Sequence, residues 1–414
     1  MKNEETLRKS RKKQTPDSIK PLDSMIGLDE LRRLSRDSAT VVQEVRASML
    51  APESRKKPPV FTSAKMADLC GVDMARVQYL SKKGELPSGA QGGTRLEWTL
   101  VEARQWVRAL RPELLRNPAL SSGVVITVAN FKGGVSKTTT AAALAQGLSL
   151  RGHKVLVVDT DPQGSLTTLF GYLPDTDVNE EHTILPLISG DSDSILPAIR
   201  PTYWDGIDLV AAAPILFNAE FLLPSRQMRD QNFQFWRVLD QGLDAARELY
   251  DIIIIDTPPS LSYITTNALI AAQGIVMPLP PNALDFASSA QFWKLFTDVM
   301  EGFFESRGES KKYAFIDVLL SRVDRADVVS NAVREWIVTA YGAKVLPIEI
   351  PKTSIAATAS AEFGTVYDMD PSSTQAKTLK RARDAYDQLC NHVAFQVAGI
   401  WAADARDTKL RTQK

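Results

Sequence analysis

The segment at residues 132–138 combines two lysines, two glycines and a hydroxyl group in a spacing that could bind phosphate. It reads Lys-Gly-Gly-Val-Ser-Lys-Thr and follows the apolar run 124–129. A strand that leads through a glycine-containing loop into a helix forms an anion site, because free loop amides and the helix dipole both attract negative charge. Lys137 can reach the β- and γ-phosphates of a nucleotide, and the Thr138 hydroxyl can ligate Mg²⁺. The segment therefore predicts a site for a nucleoside triphosphate and Mg²⁺.

Two carboxylates follow other predicted strands. Asp161 comes two residues after the apolar run 154–159, and Asp256 ends the run 251–256. The carboxyl ends of parallel strands share one edge of a sheet, where open α/β sheets bind ligands. Asp256 is suited to hold the water shell of Mg²⁺ beside Thr138. Either aspartate alone would also fit a turn or a helix cap, but together with the loop they indicate a functional edge.

The loop departs from the usual phosphate-loop pattern, in which glycines would occupy the positions of Phe131 and Ser136. It has instead a second lysine, Lys132, at its front. This arrangement resembles the deviant Walker A loop of ATPases that sandwich two nucleotides in a dimer. Residues 121–360 as a whole resemble the ParA family of plasmid and chromosome partition ATPases. The segments that carry the resemblance are 132–139, 159–164, 251–259, 266–269 and 277–278.

The resemblance implies a role for each site residue. The expected catalytic residues are Lys132, which would reach the partner's phosphates, Lys137, and Asp161, which would orient the attacking water. Thr138 and Asp256 would hold Mg²⁺. The expected nucleotide contacts in the loop are Lys132, Gly133, Gly134, Val135, Ser136, Lys137, Thr138 and Thr139. Arg322 and Pro351 lie in segments that could close on the adenine base, although both segments would fit plain surface loops equally well.

The alternation of strands and helices after residue 121 defines the fold class. Short runs rich in Val and Ile are separated by helical stretches, which is typical of a parallel sheet covered on both faces. The predicted strands are 124–129, 154–159, 207–212, 251–256, 274–279, 313–320 and 343–348. We expect an α/β fold, with a parallel-sheet P-loop NTPase domain over residues 121–402 and a tail at 403–414. An N-terminal α-helical winged helix-turn-helix module would precede this domain.

The front module, residues 60–116, has the spacing of that winged helix-turn-helix. Two short helices are predicted around a turn at 71–73, and the outer face of the second is polar and basic, which suits the major groove of DNA. The glycine-rich segment 88–94 would form a wing, and Thr99 with Glu102 predicts a capping box for the next helix. The expected DNA contacts are Arg76, Gln78, Lys82, Lys83 and Arg95. An ordinary helical hairpin would have a similar sequence, but the larger ParA proteins carry such a module and repress their own operon with it.

Charge is unevenly distributed along the chain. The sequence has 49 Lys and Arg and 49 Asp and Glu, which excludes a bulk polycation, yet residues 1–120 contain 23 basic and 15 acidic residues. This basic front favours an anionic partner. Residues 1–23 are predicted to form a flexible arm, and 24–50 a long helix that either packs on its own domain or dimerises. Near the C-terminus, Lys380 and Arg381 belong to a basic stretch that would contact DNA phosphates or form a solvated helix surface.

These features predict an ATP-dependent DNA partition ATPase, for a plasmid or a chromosome, that uses ATP (or ADP) and Mg²⁺ and hydrolyses ATP slowly unless a partner stimulates it. It would bind nonspecific DNA as an ATP dimer. The expected partners are operator and nonspecific DNA, a ParB-type centromere-binding protein and a second copy of the chain. The alternative is a nucleotide-sensing transcriptional repressor without motor activity.

Two other members of the wider ATPase class fit the sequence less well. Relatives of the nitrogenase iron protein need cluster-ligating cysteines in the core, whereas Cys70 lies in the front module and Cys390 near the C-terminus. A membrane-positioning ATPase of the MinD type would end in a basic amphipathic helix. The apolar segment 393–401 instead precedes its basic residues, so we expect it to pack in the core. With no secretory signal or apolar span visible, the sequence favours a cytoplasmic, nucleoid-associated protein without membrane contact.

Overall fold

The computed structural model describes residues 26–49, 56–92, 95–352, 364–369 and 376–412. The chain divides into two compact units, Met1–Arg55 and Lys56–Lys414. The described part of the first unit contains helix α1 (Leu28–Met49), on which the apolar residues Leu31, Leu34 and Val41 are exposed. The arm predicted at residues 1–23 lies outside the described residues.

The second unit begins with the winged module. Its elements are β1 (Phe61–Thr62), α2 (Ser63–Cys70), α3 (Met74–Lys83), β2 (Ala90–Gly92), β3 (Arg95–Trp98) and α4 (Leu100–Leu110). Gly71, with φ 66°, ends α2 in the left-handed conformation and starts the turn into α3. Strand β3 pairs antiparallel with both β1 and β2. The indole N–H groups of Trp98 and Trp106 both donate to the Pro87 carbonyl at 2.9 Å, which fixes the segment between α3 and the wing.

The remainder of this unit is built on an eight-stranded sheet. Its strands are β4 (Val124–Val128), β5 (Val155–Asp159), β6 (Arg200–Pro201), β7 (Ile207–Val210), β8 (Ile252–Asp256), β9 (Gly274–Leu279), β10 (Phe315–Val323) and β11 (Val345–Pro351). Their order across the sheet is β11-β10-β9-β4-β8-β5-β7-β6. All neighbours are parallel except β6 and β7. Later strands lie on both sides of β4, so the loop after β4 opens where open α/β sheets bind ligands.

Helices cover both faces of this sheet. They are α5 (Lys137–Leu150), α6 (Ser165–Leu169), α7 (Leu185–Ser189), α8 (Ala219–Arg229), α9 (Val238–Gly242), α10 (Asp244–Leu249), α11 (Tyr263–Ala271), α12 (Ala283–Phe303), α13 (Val328–Tyr341) and α14 (Ala376–Thr412). Short 3₁₀ turns occur at Pro112–Leu114, Glu180–His182, Leu196–Ala198, Pro214–Asn218, Phe235–Arg237, Glu305–Arg307 and Gly342–Lys344. Helix α5 is buried along almost its whole length, because α14 packs on its outer side and Cys390 lies directly against Gly147. An apolar helix of this kind belongs inside a core.

The seven predicted strands are all present, with ends shifted by at most three residues. Strand β6 was not predicted, because two residues at a sheet edge leave no periodic pattern. The predicted boundary at residue 402 falls inside α14, which continues to Thr412 because no Gly or Pro in this stretch ends the helix. Val393, Val397 and Trp401 are buried, so one face of this apolar segment packs in the core as predicted, whereas Phe395 on its other face is exposed. None of the helices in the described ranges is long and apolar enough to cross a membrane.

Candidate nucleotide site and DNA-facing surfaces

The predicted phosphate loop connects β4 to α5 at the carboxyl edge of the sheet. Gly134 and Ser136 have φ values of 74° and 75°, so the chain passes twice through the left-handed region. Glycine adopts this conformation more readily than serine, which explains why the common pattern has glycine at the position of Ser136. Within the described ranges, the backbone amides of residues 133–139 have no hydrogen-bond acceptor. These free amides at a helix N-terminus can bind an anion.

The two loop lysines occupy different environments. The Lys137 ammonium donates to the carbonyl of Lys132 at 2.9 Å, so it lies across the loop. Burial lowers the pKa of Lys137, whereas the carboxylates of Asp256 and Asp161 raise it. The Lys132 side chain is partly exposed, and its Nζ lies 3.8 Å from Asp285 Oδ1 in the first turn of α12. One lysine is therefore enclosed by the loop, and the other remains accessible from outside.

Two aspartates end neighbouring strands. Asp159 ends β5, Asp256 ends β8, and the register of the two strands pairs these residues directly. The buried Asp159 carboxylate accepts from the Thr167 amide at 2.8 Å, from the Thr167 hydroxyl at 2.7 Å and from the Asp161 amide at 3.1 Å. Burial raises the pKa of Asp159 to about 7, although the hydrogen bonds from Thr167 lower it. Asp159 thus fixes the turn that carries the partly exposed Asp161. This role of Asp159 was not predicted from the sequence.

Asp256 has the environment of a carboxylate that needs a cation. Its carboxyl group is fully buried, and burial together with the charge of Asp159 raises its pKa well above the usual value, whereas the Thr138 hydroxyl and Lys137 lower it. Among the described residues, neither Asp256 oxygen has a partner of normal hydrogen-bonding geometry. Such an uncompensated buried carboxylate is costly.

These oxygens fit Mg²⁺. Magnesium is commonly bound by one or two protein oxygens together with waters and substrate phosphates. Groups of three or more His, Cys, Asp or Glu that could hold a metal are absent from the described part of the chain. Thr138 and Asp256 would therefore hold the ion jointly with a nucleotide.

The two predicted adenine contacts lie at the ends of adjacent strands. Pro351 ends β11, and its register partner on β10 is Val323. Arg322 has φ 54°, and its Nη1 donates to the Gly134 carbonyl at 2.7 Å. The neighbouring Ser321 hydroxyl donates to the Val135 carbonyl at 3.0 Å. The structure therefore brings Arg322 onto the phosphate loop itself, while Pro351 is partly exposed at the end of β11.

The predicted DNA contacts of the winged module are all exposed: Arg76, Gln78, Lys82, Lys83 and Arg95. The inward face of α3 buries Val77 and Leu80, as expected for a helix-turn-helix. Asp73 caps α3 by accepting from the Arg76 amide at 2.6 Å. Lys83 pairs with Glu85 at 2.5 Å. Residues 93–94, part of the segment 88–94 predicted to form the wing, lie outside the described ranges.

The second predicted DNA surface lies on the first turns of α14. Lys380 and Arg381 are exposed there, whereas the adjacent Leu379 and Ala382 are buried. Both cations therefore face solvent on a helix that is anchored by its other side.

The residue that docks the winged module on the sheet domain was not predicted from the sequence. Arg104 of α4 is buried, with Nε donating to the Ser149 carbonyl at 3.0 Å and Nη2 to the His153 carbonyl at 2.9 Å. Its Nη1 forms an ion pair with Asp205. Arg104 lies within the apolar face of α4, between Ala103 and Val107. This position in the sequence was a signal for the contact. An arginine on the apolar face of a helix would be buried, and buried arginines normally have a polar partner.

A parallel sheet with an open phosphate loop between its inner strand β4 and a buried helix defines a P-loop ATPase domain. The family model described as "AAA domain" matches residues 123–306. The putative replication protein A of Sinorhizobium fredii is 30% identical over 362 residues, covering 84% of this chain and 89% of that protein. Protein SopA of Escherichia coli (strain K12) is 28% identical over 358 residues, covering 83% and 89%. The chain belongs to the ParA/SopA family of partition ATPases, in the long form that spans most of its length.

Solved structures give the same fold. A partition protein superimposes with a TM-score of 0.62 at 20% identity, covering 88% of this chain and 98% of that one. Cobyrinic acid a,c-diamide synthase from Mycobacterium smegmatis, with bound ATP analogue and magnesium, is 28% identical with a TM-score of 0.51, covering 65% and 93%. A similar domain thus binds a nucleotide together with magnesium.

Proposed function

We propose that this ATPase drives DNA partition by cycling between an ATP-bound dimer that holds nonspecific DNA and a released state, and that its winged module represses its own operon. In this proposal the phosphate loop binds ATP, a ParB-type protein bound to cargo DNA stimulates hydrolysis, and hydrolysis ends DNA binding. The observation that carries the proposal is the combination, in one compact unit, of a two-lysine phosphate loop and an exposed basic recognition helix.

The nucleotide chemistry follows from the positions of the site residues. The free amides of residues 133–139 receive the phosphates, and Lys137 turns from the Lys132 carbonyl to the phosphate oxygens. Thr138 and Asp256 would hold Mg²⁺, which would supply positive charge to neutralise the phosphates. Asp161 orients the attacking water. Phosphoryl transfer depends mainly on such positioning and charge stabilisation, and without a strong general base the turnover stays slow.

Dimerisation is supported by Lys132. Among the described residues, its partly exposed ammonium has one ion pair, with Asp285 at 3.8 Å, a contact that solvent weakens and that a phosphate could replace. A lysine that already served its own phosphates would instead point into the loop, as Lys137 does. The exposed apolar residues of α1 offer a further dimer contact within the first unit.

DNA binding is supported by two separate surfaces. The exposed face of α3 carries side chains that can read the major groove, and the exposed Arg95 on β3 would contact the DNA backbone. Lys380 and Arg381 on α14 suit contacts to phosphates, which carry no sequence information. Operator recognition and nonspecific binding would therefore use different residues.

The test measures binding to a random-sequence duplex at fixed salt with ATP, with ADP and without nucleotide. We expect retention only with ATP, loss in Lys132→Ala, and wild-type retention in the control Lys294→Ala, which removes an exposed lysine from α12. Lys380→Ala with Arg381→Ala should weaken this binding and reduce its salt dependence. Binding that ignores the nucleotide would refute the motor. Binding that requires one sequence in every nucleotide state would favour the nucleotide-sensing repressor.

A further inference from the structure

Strand β10 ends in an irregularity that places two consecutive side chains on the phosphate loop. Successive side chains of a regular strand point to opposite faces. Ser321 and Arg322 nevertheless bind successive carbonyls of one loop, those of Val135 and Gly134. This is possible because Arg322 has φ 54° and the register of β10 against β11 shifts between Leu320 and Val323. A bulge with a non-glycine residue in the left-handed region is unfavourable, and such strain is concentrated at functional sites.

The two hydrogen bonds fix the direction of the loop amides. In a trans peptide the carbonyl and the following N–H point in opposite directions. Holding the Gly134 carbonyl toward β10 therefore turns the Val135 amide away from β10. The bond from Ser321 to the Val135 carbonyl does the same for the Ser136 amide. In the described structure, neither of these two amides has an acceptor.

We propose that Ser321 and Arg322 are positioning residues that hold the phosphate loop open, with the amides of Val135 and Ser136 presented to the nucleotide phosphates. Ser321 is completely buried and supplies the fixed contact, whereas Arg322 is exposed and supplies a charged one. The inference rests on the proposed nucleotide site and deepens it. It assigns Arg322 to the phosphate end of the site and not to the adenine base.

Binding of magnesium pyrophosphate distinguishes these two assignments, because pyrophosphate has phosphates and no base. We expect Ser321→Ala and Arg322→Ala to weaken the binding of pyrophosphate and of ATP by the same factor, roughly fivefold for one lost hydrogen bond. KM for ATP should rise by this factor while kcat changes little, because the loop binds ground state and transition state alike. Ser321→Thr keeps the hydroxyl and should restore both affinities. Arg322→Gly relieves the backbone strain without restoring the guanidinium and should remain impaired.

Three outcomes would overturn the inference. The alanine variants could bind ATP more weakly but pyrophosphate as tightly as the wild type, they could have a lowered kcat with an unchanged KM, or Arg322→Gly could have wild-type affinity. Should Ser321→Ala fail to fold, the exposed Arg322 variants decide alone. Lys137→Ala separates this inference from the proposed site. If Lys137→Ala retains wild-type pyrophosphate affinity, the phosphate site itself is wrong. If Lys137→Ala no longer binds pyrophosphate while Ser321→Ala and Arg322→Ala bind it normally, only the positioning role is refuted.

Discussion

Replacing Arg104 by alanine should loosen the winged module from the sheet domain without changing the phosphate loop. The His153 carbonyl would lose its side-chain donor, and an unsatisfied buried acceptor costs about 1–3 kcal/mol. The Ser149 carbonyl would keep its bond from the Gly152 amide at 2.9 Å, so losing its bond from Arg104 costs on the order of 1 kcal/mol. Asp205 has 38% of its side chain exposed and can be resolvated, so it contributes under about 1 kcal/mol. The total is about 3 kcal/mol.

The assay is urea unfolding followed by tryptophan fluorescence, combined with limited proteolysis. Trp98 and Trp106 report on the module, whose unfolding should separate from the main transition and move to lower urea. Proteolysis should cut between the module and the sheet domain faster than in the wild type. The matched control is Arg111→Ala, at the end of the same helix, where the arginine forms a long ion pair of 4.0 Å with Glu113. We expect it to cost under about 0.5 kcal/mol.

Equal destabilisation by Arg104→Ala and Arg111→Ala would refute this reasoning, because only Arg104 is buried against the sheet domain. A double-mutant cycle with Asp205→Ala checks the estimate for the ion pair. A coupling energy well above about 1 kcal/mol would mean that solvent screens Asp205 less than its exposure indicates.

Three further predictions concern the site and the recognition helix. Asp161→Asn should lower kcat on the order of tenfold or more and leave ATP affinity unchanged, measured by steady-state hydrolysis and nucleotide binding. Because the folded-state pKa of Asp159 is raised to about 7, its contribution to stability is present at low pH and is lost as pH rises through 7. The free energy of unfolding should therefore fall by about 3 kcal/mol more between pH 5 and pH 8 in the wild type than in Asp159→Asn, and equal pH dependence would contradict this. Arg76→Ala with Lys82→Ala should abolish operator binding in a gel-shift assay while ATP turnover stays at the wild-type rate, and a parallel loss of turnover would contradict separate roles.

Local sequence predicted those features whose determinants are close together in the chain. The Thr99–Glu102 capping box is present, with the Glu102 side chain accepting from the Thr99 amide at 2.7 Å. The turn after Gly71 and the outward face of α3 also follow from short-range patterns. Apolar runs identified all strands of four or more residues in the large sheet, because parallel strands buried on both faces consist of nearly uninterrupted hydrophobic residues.

Features that depend on distant segments were not predictable in this way. Arg104 meets carbonyls 45 and 49 residues further along the chain, and no local pattern specifies such acceptors. The segment containing Arg322 was recognised as a loop near the site, but its partner was not, because the left-handed conformation of an arginine follows from the β10 bulge. Sequence thus predicted which segments meet at the sheet edge better than it predicted the contacts they make there.

Sheet topology separates the carboxylate proposed to hold the metal from the one proposed to orient the water. Strand β8 lies directly beside β4, so Asp256 comes next to the phosphate loop, while β5 is one strand further away. A residue after β5 reaches the loop only if its turn bends back across β8. The Thr160 amide and hydroxyl both donate to the Asp256 carbonyl, at 3.1 Å and 2.6 Å, which ties the start of this turn to the end of β8. The carboxylates of Asp256 and Asp161 both raise the pKa of Lys137, so the ends of β8 and β5 act on the same lysine.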